Sequence, residues 1–412
     1  MQPYLSVTVS PYVPAFKLNG GGIASYNNEL YDIFKNEHTI HLLTTDTSEV
    51  GTCIDKTFRT PPKAVWDYNS YVKLVCQINS EQYDLIINSD SAFVAVVAPY
   101  LNSPIVTISH SYNNLPTLRA SYNHRYNSKM IALSHAGRKF MIDFFRIKNE
   151  DKVEMIYNFV KDYLCYEIED KPERDELIIV YPGGASLMKY PEMVLLAVNL
   201  LVKTNLKFKF YWLGGTTLPL SKLSFPKTIE QLIPKDERII VTNKIPREEA
   251  ERIIANANVF ILPSRAEGCP VSLMEALRSG CIPIVGDAKH VCREILEDGK
   301  MGKIVKHVSH KDLYLAIKDS IENHAKYKEE YVKSLQYSKT VLSQTLWKEK
   351  MTRIIADAVQ SNKEMKSLNM IGFYWSLMGH EFLSFYIGLK ERWLSVKCYM
   401  KFNYYYLKMK LS

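Results

Sequence analysis

The chain has 412 residues, 47% of them hydrophobic, and a formal net charge of +8 at pH 7. This length allows two domains of ordinary size with a further element, and the apolar content is ample for packed cores. The seven cysteines are odd in number, scattered, and without a C-x-x-C pair. They indicate free thiols in a reducing cytoplasm and argue against disulfides or a zinc site.

Two signatures of membrane-directed chains are missing from the sequence. The N-terminus lacks the charged-then-apolar pattern of a signal peptide, because the apolar run at 5–9 is short and predicts a strand. No apolar run reaches about 18 residues, so we expect no transmembrane helix.

In the first part of the chain, short apolar runs alternate with segments of helical period, as in a parallel α/β sheet. A strand at 5–10 is followed by the run Gly20-Gly21-Gly22 and by a helix at 23–34. A glycine run at this point can cradle phosphate, although a flexible turn is the commoner explanation. Further strands are predicted at 41–45, 84–88, 105–109, 130–134 and 153–157, helices at 64–78 and 135–145, and a loop at 46–62.

His110 directly follows the strand predicted at 105–109. Ligands of open α/β sheets gather at the carboxyl ends of the strands, so this histidine is well placed to contact a substrate. The alternative is a histidine that only caps a loop. Further on, Ser134 is the predicted N-cap of the helix at 135–145.

The second part of the chain repeats the alternation after a charged, aperiodic segment at 161–176, which predicts a linker. The loop after its first strand carries Gly184 and Lys189. Strands are predicted at 177–181, 208–213, 239–241, 259–262, 282–285 and 302–305, with helices from 246, after 270, and over 310–323 and 327–359.

The stretch 263–287, PSRAEGCPVSLMEALRSGCIPIVGD, predicts a loop and a helix between two strands. Pro270 suits the first turn of that helix, and Gly280 suits the left-handed residue just past its end. The free N–H groups at a helix start attract phosphate, and a carboxylate such as Glu267 or Glu275 can accept two hydrogen bonds from a vicinal diol. The alternative is that Glu267 caps the helix and Glu275 lies on a solvated face.

The segment EGCPVSLMEALRSGCIPIV resembles the signature of the retaining group 1 (family 4) glycosyltransferases, with its second Glu eight positions after the first. The resemblance covers roughly residues 5–360 and implies an α/β chain of GT-B fold, with two facing Rossmann-like domains. The domains implied are an acceptor-side domain at 1–165, a nucleotide-sugar-binding domain at 166–345, a crossover helix at 346–360 and a basic, aromatic tail at 361–412.

The same resemblance implies the roles of individual residues. Glu275 would hold the ribose hydroxyls, Glu267 would face the donor sugar and its diphosphate, and His110 would lie near the sugar. Glu267, His110 and Lys189 are therefore the expected catalytic residues. The expected donor-binding residues are Gly21, Gly22, Arg265, Gly268, Cys269, Val271, Ser272 and Glu275.

One position departs from the family pattern. An Arg and a Lys contact the diphosphate in the family; Lys189 matches the Lys, but the Arg position is Gly184 here. Arg265, on the loop beside Glu267, is the candidate replacement. For Lys189, a solvated surface lysine is the alternative.

The implied reaction moves a sugar from a nucleotide-sugar to a hydroxyl of a saccharide or lipid-linked saccharide with retention, in surface polysaccharide or glycoconjugate synthesis. No cofactor is expected, and no metal is implied, because neither Asp46 nor Asp90 has a second acid at D-x-D spacing. Two alternatives stay open: a nucleotide-sugar epimerase on a GT-B scaffold, and a non-catalytic partner subunit, which the loss of Arg at Gly184 suggests.

The tail at 361–412 holds eight Lys and Arg against three Glu, a net charge of +5, and twelve aromatic residues. Basic and aromatic residues on helices suit an anionic membrane surface, whereas packing of extra helices on the body is the alternative. Nucleic acid is not an expected partner, because no motif supports it. We therefore expect a cytoplasmic protein that can lie on the inner face of the plasma membrane.

Overall fold

The computed structural model describes two compact units, Met1–Tyr157 with Trp347–Leu389, and Asn158–Leu346 with Lys390–Ser412. The residues described are 4–9, 22–44, 57–59, 68–110, 120–161, 176–185, 187–214, 227–242, 245–287, 291–361, 366, 369, 371–372, 375–380, 382, 385, 389 and 393.

The first unit contains a seven-stranded parallel sheet with the order β3-β2-β1-β4-β5-β6-β7. The strand order reverses between β1 and β4, the kind of point at which α/β sheets bind ligands. Its elements are β1 (Tyr4–Val9), α1 (Gly22–Phe34), β2 (Thr39–Thr44), β3 (Thr57–Arg59), α2 (Tyr68–Ser80), β4 (Leu85–Ser89), α3 (Ala92–Val97), β5 (Ile105–Ser109), β6 (Lys129–Ala132), α4 (His135–Phe145) and β7 (Val153–Met155).

The centre of this sheet is buried on both faces. Every residue of β4 and β5 is buried, and both strands begin with apolar residues, as strands covered on both faces do. Helix α2 covers one face with residues at helical spacing, namely Tyr71, Leu74, Val75 and Ile78.

The second unit contains a six-stranded parallel sheet with the order β10-β9-β8-β11-β12-β13. Its elements are β8 (Leu177–Tyr181), α5 (Pro191–Leu201), β9 (Phe208–Trp212), β10 (Ile239–Val241), α6 (Arg247–Asn256), β11 (Val259–Leu262), α7 (Val271–Arg278), β12 (Ile282–Gly286), α8 (Val291–Ile295), β13 (Lys303–Val305), α9 (His310–Glu322), α10 (Lys328–Val341) and α11 (Gln344–Val359). From Trp347 onward α11 belongs to the first unit.

The predicted fold class is confirmed, since two Rossmann-like parallel sheets are present, but two local predictions are wrong and one helix was missed. The predicted loop at 46–62 contains β3, which pairs with β2. The helix α3 was not expected, although Ser91 caps it by accepting a hydrogen bond from Val94 N at 3.5 Å. The single helix predicted at 327–359 is two helices, because Ser343 pairs with Val160 and accepts a hydrogen bond from Leu346 N, which starts α11.

Most of the tail at 361–412 lies outside the described residues, and those that are described between 371 and 393 are helical. Within the described part of the chain, no helix has both the length and the apolarity that crossing a bilayer requires.

Candidate functional site

The loops that follow β8 and β11 meet at the carboxyl edge of the second sheet. These strands are neighbours, and Arg265 N donates a hydrogen bond to Met188 O at 2.8 Å. The short 3₁₀ turn Leu187–Lys189 ends the first loop, and Tyr181, the last residue of β8, donates its hydroxyl to Lys189 O at 3.0 Å. These bonds fix the two loops to each other.

Lys189 and Glu267 form an ion pair across the two loops. Lys189 Nζ donates to Glu267 Oε1 at 2.6 Å, and the two side chains are 31% and 11% exposed. A pair with so little solvent is screened less than a surface pair. Lys189 is therefore not the solvated surface lysine of the alternative interpretation, and two of the predicted catalytic residues lie together.

Arg265 lies on the same loop but points into a buried pair. Its Nη2 donates to Glu192 Oε1 at 2.8 Å, with side-chain exposures of 7% and 1%. The guanidinium also stacks on the Tyr190 ring, 3.3 Å from its centroid. Sequence reasoning missed Glu192; the signal was the one charged residue of an otherwise uncharged helix, α5, in its first turn.

One guanidinium nitrogen of Arg265, Nη1, does not take part in the hydrogen bond to Glu192. This atom is buried and has no hydrogen-bond partner among the described residues. The position that lacks the family Arg, Gly184, lies beside another turn: a Cβ on Gly214, whose φ is +92°, would be 3.6 Å from Gly184 Cα. The idea that Arg265 replaces that Arg stays a prediction, and Nη1 is the atom that would serve it.

The loop carrying Glu267 continues through Gly268 into the start of α7. Pro270 has extended backbone and precedes the first helical residue, Val271. The first amides of a helix, here those of Val271 and Ser272, have no acceptor within it, so this end attracts negative charge. At the other end, Gly280 adopts the predicted left-handed conformation with φ of +65°.

Cys269 is buried next to that helix start, and burial raises the pKa of its thiol to about 12. The thiol is therefore protonated at neutral pH and is not a nucleophile. The carbonyl of Cys269 accepts a hydrogen bond from Asn158 Nδ2 at 2.8 Å. Cys269 thus helps to hold the loop in place, and any donor contact by this residue stays a prediction.

Glu275 projects from α7 toward α6. Its Oε1 lies 3.6 Å from Arg247 Nη2, and Arg247 Nε donates to Glu251 Oε1 at 2.6 Å. Glu275 is only 9% exposed, so it does not lie on a solvated face. Arg247 therefore lies within ion-pair distance of the Glu275 carboxylate, and the role of Glu275 as a binder of ribose hydroxyls stays a prediction.

His110 belongs to the first unit and follows β5 as predicted. Its Nε2 lies 2.7 Å from Ser89 Oγ, its N donates to Asp90 Oδ2 at 3.3 Å, and the Tyr26 ring meets it edge-on at 4.7 Å. Burial lowers the pKa of His110 to about 3. The imidazole is therefore neutral at neutral pH, and it is set in a packed cluster rather than capping a loose loop.

Asp90 is the second residue that sequence reasoning missed. It is 4% exposed, has a left-handed backbone with φ of +56°, and burial raises the pKa of its carboxyl to about 7. Its Oδ1 has no hydrogen-bond partner among the described residues. The signal was an Asp directly after a buried strand, since Asp tolerates the left-handed region better than most residues.

Only the last residue of the glycine run lies within the described part of the chain. Gly22 is the first residue of α1, whereas Gly20 and Gly21 lie outside the described residues.

Within the ranges that the structure describes, no three His, Cys, Asp or Glu residues come together as metal ligands would.

The two sheets define the GT-B fold, which solved structures share. Sucrose-phosphate synthase from Thermosynechococcus elongatus has a TM-score of 0.70 at 16% identity, over 86% of this chain and 98% of that one. Anabaena HepE in complex with UDP and glucose has a TM-score of 0.69 at 15% identity, over 86% and 99%. WaaG, a glycosyltransferase involved in lipopolysaccharide biosynthesis, has a TM-score of 0.62 at 13% identity, over 85% and 99%.

Residues 167–336, from the linker into α10, match the family model of the glycosyl transferases group 1. This range includes Lys189, Glu267 and Glu275, and the match supports the group that the motif after β11 indicated. No curated protein sequence matches the chain.

Proposed function

We propose that this protein is a glycosyltransferase that moves a sugar from a nucleotide-sugar to a hydroxyl of a saccharide or lipid-linked saccharide, with retention. The proposal is supported by the group 1 domain at 167–336. It is also supported by the GT-B neighbour HepE, which has been solved with UDP-glucose. UDP-sugars are therefore the first donors to test.

The observation that carries the proposal is the Lys189–Glu267 pair beside the start of α7. Transfer breaks the bond between the anomeric carbon and a phosphate oxygen, so negative charge grows on the leaving diphosphate. The helix-start amides and the Lys189 ammonium are described groups of this unit that would stabilise such charge. Glu267 accepts one charge-assisted hydrogen bond from the ammonium. A diphosphate oxygen would accept a hydrogen bond from one of the other two N–H groups of the same ammonium.

The acceptor and the setting follow from the same resemblance. We place the protein in surface polysaccharide or glycoconjugate synthesis, on the cytoplasmic side and at the inner face of the plasma membrane. WaaG, which shares the fold, is itself a lipopolysaccharide enzyme by its description. Glu275 would accept hydrogen bonds from the ribose hydroxyls of the donor, with Arg247 holding the carboxylate in place.

The test measures donor binding and turnover of matched variants. A thermal-shift screen of UDP-, GDP- and ADP-sugars should identify one donor class that raises the melting temperature. With that donor, Lys189→Met should lower kcat about 100-fold, because a preorganised charge at the leaving group is lost. Glu267→Gln should also lower kcat, whereas Lys203→Met and Glu249→Gln, at exposed positions of the same unit, should not.

Three outcomes would contradict the proposal. Normal turnover by both site variants would place the reaction elsewhere, and no binding of any nucleotide-sugar would support a non-catalytic partner subunit, to which the Gly184 departure points. Product from donor alone, without acceptor, would indicate the epimerase alternative. Full turnover and donor affinity of Arg265→Ala would remove Arg265 from the donor site.

A further inference from the structure

Six large apolar side chains between 371 and 389 are exposed on helical residues. Their spacing alternates between four and three residues, which is the spacing of one face of an α-helix. Their exposed fractions are 71% for Ile371, 70% for Trp375, 60% for Met378, 74% for Phe382, 66% for Phe385 and 48% for Leu389. We call this set the apolar stripe.

Other faces of the same segment attach it to the first unit. Asn123 Nδ2 donates to Ser376 Oγ at 2.8 Å, and Ser376 Oγ donates to Val96 O at 2.9 Å. Leu377 packs against the core of that unit, and His380 is 1% exposed, with its ring edge-on to Tyr122 at 5.9 Å. In an ideal helix these three residues lie on the side away from the apolar stripe, so the attachment presents the stripe outward.

We propose that the apolar stripe docks on the surface of an anionic lipid bilayer, with the helix lying in the interface. An apolar face bearing Trp and Phe, combined with basic residues, is the composition of interfacial helices. The charge follows the stripe in the sequence rather than lying on it: 371–389 has one Glu and no Lys or Arg, whereas 390–412 has six Lys and Arg against one Glu. Basic segments of this kind are attracted to anionic headgroups.

A second copy of the chain fits the stripe less well. The four-and-three spacing also occurs in coiled coils, but seams of that kind use Leu and β-branched residues that interdigitate. Half of the apolar stripe is aromatic, namely Trp375, Phe382 and Phe385. Large flat rings suit the headgroup region, where Trp is enriched, better than a two-helix seam.

This inference goes beyond the proposed reaction and does not depend on it. Docking concerns a helix attached to the first unit, whereas the Lys189–Glu267 pair lies in the second. Loss of docking and loss of glycosyl transfer can therefore be measured separately. If both proposals hold, the protein lies at the surface where a lipid-linked acceptor is embedded.

Vesicle sedimentation of the full chain tests the inference. We expect binding to phosphatidylglycerol–phosphatidylcholine vesicles, weaker binding to phosphatidylcholine alone, and a decrease with salt. The double variant Trp375→Ser/Phe382→Ser should lose at least about tenfold in partitioning, since each side chain contributes its buried apolar area. The control Phe144→Ser/Leu315→Ser removes two apolar side chains that are 49% and 59% exposed elsewhere and should bind like the native chain.

A second measurement keeps the test decisive if the double variant unfolds. Brominated lipids should quench the tryptophan fluorescence of the native chain, and Trp375→Phe should keep vesicle binding while losing part of that quenching. Absence of binding by the native chain, or equal binding by the folded stripe variant, overturns the inference. A native dimer that the stripe variant converts to a monomer, without vesicle binding, would assign the stripe to a second copy.

Discussion

At the scale of single residues, the buried Asp90 and the partly buried His110 are neighbours whose pKa values are displaced in opposite directions. Burial raises the pKa of Asp90 to about 7 and lowers that of His110 to about 3. Asp90 holds His110 through the backbone N–H of His110, and Ser89 holds the imidazole. The cluster is therefore built to keep both side chains uncharged under mildly acidic conditions.

This pair predicts compensating pH effects on the free energy of unfolding. Asp90 has a raised folded pKa, so its contribution is present at low pH and is lost as pH rises from about 4 to about 7. His110 has a lowered folded pKa, so its contribution is lost as pH falls from about 6.5 to about 3. Between about pH 4 and 6.5 the two slopes, each about 1.4 kcal/mol per pH unit, cancel.

Removing one of the two titrating side chains should reveal the pH dependence of the free energy of unfolding that the other one causes. Relative to the native chain, Asp90→Asn should gain stability as pH rises from about 4.5 to about 6, and His110→Gln should lose it. Urea unfolding of the three proteins at both pH values measures the difference, and all other titrating groups are shared. Parallel profiles for the two variants would show that the side chains are not buried in this way.

At the scale of secondary-structure elements, the Arg265–Glu192 pair joins the loop after β11 to the first turn of α5. Both side chains are almost fully removed from water, so each needs the other to offset its desolvation. The pair therefore holds the two loops of the proposed donor site in register. The Arg265–Glu192 pair therefore stabilises the fold whether or not Arg265 also contacts the donor.

Breaking that pair should be costly. Glu192→Gln leaves a buried guanidinium without its counterion and should lower the free energy of unfolding by about 3–5 kcal/mol. The control Asp143→Asn breaks the pair with Lys139, in which both side chains are mostly exposed, and should cost less than about 1 kcal/mol. Chemical denaturation compares the two, and similar losses would mean that the buried pair is not needed.

Elements and contacts differ in how far the sequence could predict them. The strands at 105–109, 177–181, 239–241 and 259–262 were predicted with the bounds that the structure has, because each is a short run rich in β-branched and aromatic residues. Helix α3 was missed because its short apolar run has no period that separates helix from strand. Arg265–Glu192 and Asp90–His110 join residues 73 and 20 positions apart, and no local pattern predicts which distant partner a buried charge takes.

At the scale of the whole molecule, the candidate residues divide between the two units. His110 and Asp90 belong to the first unit, and Lys189, Glu267 and Glu275 belong to the second. A nucleotide that binds as proposed should therefore change the second unit even when no sugar is transferred.

Hydrogen exchange with and without UDP tests this division. If UDP is the leaving group, amides at 187–192 and 265–275 should exchange more slowly, because the ligand binds only the folded site. The central strands β4 and β5 serve as the internal control and should be unchanged. Protection confined to the first unit would contradict the assignment of the donor site to the second.

The discontinuous first unit has a consequence for the order in which the protein matures during synthesis. Trp347, which is 2% exposed, meets Tyr26 edge-on at 5.7 Å and lies 6.2 Å from Phe34. These apolar side chains of α1 leave the ribosome early, but α11, which covers them, is made only after the whole of Asn158–Leu346. Domains usually fold as they emerge, the N-terminal one first. Here α11 is translated only after every strand of the second sheet, so that sheet can form while the apolar side chains of α1 are still uncovered.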